Sequence, residues 1–433
     1  MTALAGAGSA RVRWARPPLL DESPVQAFRV IASDGVHAVT TPDADHLSAV
    51  VRGLVPGRTY TFTVHAVRAG GDGPRSAPSN AVTPGLSGPT SAWGSNAGNQ
   101  LGDGTATGRL APATGVGVPG ATALAAGAFH SMALRADGTV WTWGWGGLGQ
   151  LGDGSRATRP TAAPVPGLTN VVAIAAGAFH SMALKADGTV WVWGWNGLGQ
   201  LGTGTIGDAI IPVQPRGLTG ITAIAAGFHH NLAVRADGTV MAWGWNIYGQ
   251  LGDGSTVDRP VPTPVPGLAG ITAVAGGALH SIALDGNGGV WAWGWNGAWQ
   301  LGTGDNVDRR SPVLAIPYDH ITAIAAGAYH NYALQPDGVV RSWGWNAFGQ
   351  LGNPSTGPGP GVLNVWNLDD VAVIASGWYH GLAIRHDGTV VAWGANGSGQ
   401  LGDGTTTDRS TFALVTVPSA LAVAGGASHS LSS

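Results

Sequence analysis
A Gln-Leu-Gly triplet begins at residues 100, 150, 200, 250, 300, 350 and 400, seven copies at an unvarying 50-residue spacing. A fixed period of that size means that each unit is one supersecondary element that cannot bury its apolar faces alone, so neighbours must stack on it. Seven such units can close into a ring if each is a small sheet.

One unit, read from residue 171, is VVAIAAGAFHSMALKADGTVWVWGWNGLGQLGTG. Val171 to Ala175 reads as an apolar strand ending in the small residues Ala175, Ala176 and Gly177, which lets several strands approach one axis. His180 to Lys185 is a second strand, and Asp187-Gly188 is a two-residue hairpin signal. Val190 to Trp193 is a third strand stopped by Gly194, and a Pro-rich outer segment completes the unit. Three or four strands in each of seven units predict an all-β fold, a seven-bladed β-propeller of 50-residue repeats. Composition agrees, since 72 Gly, 19 Trp and only 10% charged residues suit short strands, tight turns and aromatic packing rather than disorder.

Repeats reading Gly-x-x-His-Ser, Ala-Leu, Asp-Gly-Thr-Val, Trp-Gly-x-Asn and Gly-Gln-Leu-Gly-x-Gly resemble the regulator of chromosome condensation repeat family, over residues 91–433. Residues 1–84 lack the period and carry alternating strands at Ala10–Trp14, Ala27–Ile31 and Tyr60–Val67. GLVPGRTYTFTV at 53–64 followed by GPRSAPSN at 73–80 is similar to the second half of a fibronectin type III β-sandwich, with a first strand that looks clipped. That resemblance implies a tyrosine corner of Leu54 and Tyr60 and a core Trp14. Residues 85–90 then form a Pro/Gly linker.

The seventh repeat looks truncated, since the chain ends at His429-Ser430-Leu431-Ser432-Ser433. Yet residues 87–94, SGPTSAWG, align with 137–144, DGTVWTWG. Pairing 87–94 with 429–433 would complete one mixed blade and hide two strand edges that would otherwise template aggregation.

The net charge of −3 offers no footprint for nucleic acid, and no cysteine is present for disulfides or thiolate sites. No run of about 18 apolar residues exists to insert as a membrane-spanning helix. The N-terminus lacks the features of a signal peptide, so the expectation is an intracellular protein or one whose leader has been removed. The company of a fibronectin-like module favours a secreted or cell-surface protein, with a cytoplasmic one as the alternative.

Little of the repeat can carry chemistry. His130, His180, His230, His280, His330, His380 and His429 recur on separate blades, too far apart for one ion, and read as hydrogen-bonding groups within each blade. Adjacent His-Ser pairs point to opposite faces and cannot form a nucleophile-base couple. Asp103, Asp153, Asp253 and Asp403 in Gly-Asp-Gly loops are replaced by Thr203, Thr303 and Asn353, which disfavours calcium. The Asp-Arg pairs at 258–259, 308–309 and 408–409 read as blade-stitching or solvated ion pairs. The expectation is a non-enzymatic protein with no cofactor and no metal.

The exceptions to the repeat are more informative. Trp93, Trp143, Trp193, Trp243, Trp293, Trp343 and Trp393 occur in all units and should be core. Trp145, Trp195, Trp245, Trp295 and Trp345 occur two residues later in five units, with Ser95 and Ala395 in the others. They either pack between blades or form a lopsided aromatic arc. The residues before each repeat His lie where one strand turns into the next, and here Phe129, Phe179, Phe228, Tyr329, Trp378 and Tyr379 are aromatic. Aromatics gathered on one face suit binding hot spots. The resemblance implies the same, because related propellers use aromatics of this loop for protein–protein contact. Tyr248, Trp299 and Phe348, in the Trp-Gly-x-Asn loops, are secondary candidates.

The leading function is therefore protein–protein binding by a monomeric scaffold to an unidentified protein partner. A glycan is the alternative ligand, because aromatic platforms stack on sugars. A guanine-nucleotide exchange factor for a small GTPase is a further alternative implied by the family, but near-equal repeats show no inserted wedge-like loop. A photoreceptor role would want a Trp cluster, and only Trp378 occupies the Gly-Trp-x-His position.

Overall fold
The computed structural model describes residues 1–6, 9–16, 24–41, 43–52, 54–55, 58–83, 90–116, 118–317, 319–354, 359–418 and 420–433. Residues 84–89, which hold most of the expected linker and the Ser87–Pro89 start of the expected closing segment, lie outside these, as do Gly53, Pro56 and Gly57 of the fibronectin-like motif.

Among the described residues, seven four-stranded antiparallel sheets follow an N-terminal β-sandwich. In the second blade, Val171–Ala176, His180–Lys185, Val190–Gly194 and Ala209–Val213 run in that order from axis to rim. The innermost strands need small residues, and Ala126, Ala176, Ala226, Gly276, Ala326 and Gly425 line an axial channel of about 220 Å³. The seventh blade takes Val423–Gly425 and His429–Ser432 from the C-terminal end and Thr90–Gly94 and Arg109–Val116 from after the sandwich. His429 pairs with Gly94, Ser430 with Trp93, Leu431 with Ala92 and Ser432 with Ser91.

Apolar packing lies between blades. Fully buried Trp193 of the second blade packs with Met132, Leu134 and Val140 of the first. Burying each such indole contributes about 3 kcal/mol or more. Its N–H donates to the Gln150 carbonyl (2.9 Å), which also accepts from the Ser181 hydroxyl (2.9 Å). The Gln side chain meanwhile ties its own loop, Oε1 accepting from Leu148 N–H at 3.0 Å. Each Gln-Leu-Gly loop is thus an acceptor for the next blade, which is why that triplet keeps the period.

The repeat histidines bond between blades, not within them. His130 Nε2 meets Ser181 Oγ at 3.0 Å, His180 Nε2 meets Asn231 Oδ1 at 2.7 Å, and His429 Nε2 meets Ser131 Oγ at 3.0 Å across the closing seam. The reason is geometric: the residue after each His points back toward the preceding blade, as period-2 alternation requires. The Asn231 amide NH₂ donates to Gln200 O at 2.6 Å, leaving Oδ1 to accept from His180 Nε2–H. Ser181 likewise spends its proton on Gln150, so His130 must also donate from Nε2. The sixth blade breaks the pattern with Gly381, where a Cβ would lie 2.4 Å from the Trp393 ring and 2.6 Å from the Tyr332 hydroxyl. Tyr332 donates to Gln350 O in place of the missing serine, and Ser376 bonds His330 instead at 3.0 Å.

The sandwich has two three-stranded sheets, Thr2–Gly6 with Ser9–Arg13 and Ser48–Arg52, and Ala38–Thr40 with Val25–Ala32 and Phe62–Arg68. Trp14, Leu54 and Tyr60 are buried in its core, and Tyr60 Oη accepts from Val55 N–H at 3.0 Å. Arg13 pairs with Asp370, and Ser48 Oγ meets His386 Nε2 at 2.9 Å. Both partners sit at the end of the propeller that carries the Asp-Gly hairpins, which determines the end left open.

Candidate binding face
Within each blade the chain turns at one end between the first and second strands, and returns to that end in the long loop after the third. Residues 177–179 and 195–208 of the second blade therefore share a face, opposite the hairpins and the sandwich contacts. All nine aromatics expected on a contact surface lie in such turns and loops.

On this face the rings form one connected arc. Phe129 stacks on Phe179 (6.3 Å between centroids) and Phe179 on His229 (6.2 Å). Trp145 and Trp195 sit edge-on between them, at 5.9 Å from Phe179 and 4.9 Å from His229. Leu279 supplies no ring in the fourth blade, and Tyr248 bridges the gap, 6.1 Å from Trp245 and 6.2 Å from Trp295. The arc continues through Tyr329 and Trp345 to Tyr379 and Phe348. Edge-to-face pairs of this kind add about 1 kcal/mol each beyond area burial. Most of these rings are half-buried, while Phe129 and Phe348 are exposed. Ser95, Ala395 and Ser428 leave the remaining part of the face without rings.

The five Trp after the third strand thus both pack between blades and build the face. The side-chain NH₂ groups of Gln150, Gln200, Gln250, Gln300 and Gln350 are buried without a hydrogen-bond acceptor, and these are the five loops that carry the extra Trp.

Phe228 and Trp378 depart from the arc. They stand where the other blades have buried Ala128, Ala178, Ala278, Ala328 and Ala427, one residue earlier than the arc aromatics. Alternation turns that position toward the axis. The two rings meet across it at 4.0 Å between centroids and cap the channel. Trp299 also differs: it makes no ring contact among the described residues and holds φ +66° in a turn where Gly149, Gly199, Gly249, Gly349 and Gly399 have φ of 75–84°. A bulky residue in that region costs about 1 kcal/mol.

His229 was hidden to sequence reasoning behind its neighbour Phe228. Its ring replaces a Phe or Tyr in the arc, and burial drives its pKa down to about 4 against a weaker opposing backbone interaction, so it is neutral at pH 7. Burial likewise raises the Tyr329 and Tyr379 hydroxyls, each further raised by a neighbouring tyrosine. Ile206, Ile247, Val257 and Val307, all well exposed, extend the apolar surface across the long loops of the second, third and fourth blades. Sequence reading passed over them because single exposed aliphatics carry no pattern until the loops are brought together.

The loop carboxylates are engaged elsewhere. Asp253 takes Arg259 (2.7 Å) and Ser255 (2.7 Å), and Asp403 takes Arg409 and Thr405, so Arg259 and Arg409 pair six residues back, and Arg309 pairs four residues back with Asp305, rather than with the adjacent Asp. The adjacent Asp258, Asp308 and Asp408 accept backbone N–H groups of Asn246, Asn296 and Asn396. Burial alone would push the Asp253 carboxyl up, but the bonds from Ser255 and Arg259 hold it below the usual carboxylate value. Among the described residues no three His, Cys, Asp or Glu side chains gather as metal ligands.

Comparison with known proteins agrees with this architecture. The RCC1-like domain matches residues 79–316, and regulator of chromosome condensation (RCC1) repeats match 321–350, 371–400, 337–384 and 387–432. A fibronectin type III domain matches residues 3–82. Prp20p from Saccharomyces cerevisiae, described with its binding to Gsp1p and histones, is a similar structure at TM-score 0.72 and 24% identity, over 80% of this chain and 92% of that one. Human WBSCR16 is similar at TM-score 0.70 and 23% identity, over 79% and 99%. At these identities the likeness is one of fold. A comparison with curated proteins finds no match. With its match spanning more than half of the sequence, the chain belongs to the RCC1-like domain family and carries a fibronectin type III domain ahead of its propeller.

Proposed function
We propose that this protein is a non-catalytic scaffold that binds a protein partner through the aromatic face of its propeller. The observation that carries the proposal is the connected arc from Phe129 to Phe348, exposed at its ends, extended by Ile206, Ile247, Val257 and Val307, and lying opposite the sandwich contacts. A contiguous apolar surface with rigid aromatic anchors is what a desolvated protein interface requires. Phe129, Phe179, Tyr329 and Tyr379 are its anchors, with Tyr248 and Phe348 beside them. Phe228 and Trp378 support the face from the axis.

The test is quantitative capture from native extract by the full chain, compared with a Phe129→Ser/Phe348→Ser variant. Both side chains lie on the surface, so the variant should stay folded, its melting temperature lower by only about a few degrees from the lost ring contacts, while capture falls at least tenfold. Unchanged capture by the variant would move the interface elsewhere. Incubation of the captured material with fluorescent nucleotide separates the readings: accelerated release from a small GTPase would replace simple scaffolding with exchange.

A further inference from the structure
The fifth blade carries departures from the repeat that the aromatic face does not use. Arg341 stands where Trp141, Trp191 and Trp291 stand in other blades, and Asn353 where four other Gln-Leu-Gly loops have Asp103, Asp153, Asp253 and Asp403. Asn364 and Trp366 stand where two other blades have prolines at both positions, and Asn367 where Gly167, Gly217 and Gly267 stand. These five residues are scattered over 27 positions of sequence, yet they line one open groove of about 670 Å³ on the outer side of the blade, together with Asp369.

The groove is built for a particular chemistry. Trp366 is 49% exposed along it, over a floor of valine and leucine. Arg341 donates to Asn364 Oδ1 at 2.7 Å, which fixes that amide in the lining and leaves its NH₂ to donate. The same guanidinium is neutralised by Asp319 at 3.1 Å, and so is not offered to a phosphate. Asn367 holds φ +53°, where Gly167, Gly217 and Gly267 have +72°, +65° and +82°, placing an amide at a turn that glycine would leave bare. An indole face takes the C–H side of a ring, and amides that both donate and accept suit hydroxyl groups, which do the same. One flat aromatic, amides that both donate and accept, a paired guanidinium and the exposed Asp369 carboxylate, which accepts from hydroxyls and repels anions, match a neutral polyhydroxylated ligand.

We propose that this groove binds a neutral oligosaccharide, with Trp366 as the stacking platform and Asn364 and Asn367 reading hydroxyls. The site is independent of the aromatic face and stands or falls apart from it.

The test is calorimetric and tryptophan-fluorescence titration of the full chain with cellohexaose, mannohexaose, maltohexaose and chitohexaose. At least one should bind, with a shift in tryptophan emission. Trp366→Ala should abolish that binding and leave the Phe129-dependent capture unchanged. Asn367→Gly installs the residue that three other blades use at this turn, so it should fold normally while weakening binding roughly fivefold, the loss of about one hydrogen bond. Failure of all four sugars to bind, or equal binding by both variants, would overturn the proposal.

Discussion
Gly177 has no room for even one more carbon. A Cβ there would lie 2.0 Å from the Cε1 of its own His180 and 2.7 Å from the Gly227 carbonyl of the next blade. Gly267 has φ +82° but open space around it. Gly177→Ala should therefore cost about 3 kcal/mol or more, from steric displacement of a buried seam. Gly267→Ala should cost about 1 kcal/mol, from backbone conformation alone. Urea midpoints of the two variants measure the difference, and similar losses would mean that the turn can shift. At this scale the Gly-x-x-His spacing was plain in the sequence. The histidine's partner was not, because a hydrogen bond 51 residues away, from His130 to Ser181, follows only from how neighbouring sheets are stacked. Phe228 teaches the same lesson, since its one-residue offset from Phe179 turns it from the face to the axis.

The element that closes the ring is the seventh blade, whose inner pair Val423–Gly425 and His429–Ser432 meets Thr90–Gly94 by backbone pairing. It also seals two side-chain seams: Ser430 donates to Gln400 O at 2.8 Å, and fully buried Leu431 packs against Ala92, Leu101 and Trp143. Removing residues 429–433 would expose two strand edges and empty that core. The melting temperature should fall on the order of 10 °C, with concentration-dependent aggregation. Scanning calorimetry at two protein concentrations checks this, and an unchanged transition would show that the ring does not depend on the seam. Strand order and hairpins were legible from alternation and Asp-Gly turns. The bridging of the arc by Tyr248 was not, because it depends on which loops stand side by side.

For the whole molecule, the seven repeat histidines act together. All are fully buried, and burial, with neighbouring imidazoles for His130, His180, His230, His330 and His429, drives their pKa values down to about 3 or 4. Unfolded histidine takes its proton near pH 6.5. Between pH 6.5 and about 4 the unfolded chain binds protons that the folded one refuses, so stability is full above pH 6.5 and falls as pH drops. Seven such groups give a slope on the order of 10 kcal/mol per pH unit near pH 5. Urea unfolding from pH 7.5 to 4.5 should show that collapse, and a flat profile would mean that the imidazoles reach water in the folded state.

The repeat alone determined the all-β class, the propeller with its blade count and the family, because a 50-residue period and strand alternation are local properties that any single unit displays. Only the tertiary structure decided the rest. It paired each histidine with the following blade, joined Phe129 to Phe348 in one arc, set the sandwich against the opposite end, and gathered Arg341, Asn353 and Trp366 into one groove. These are contacts between units, and a sequence that repeats records each unit without recording the angle at which it meets the next.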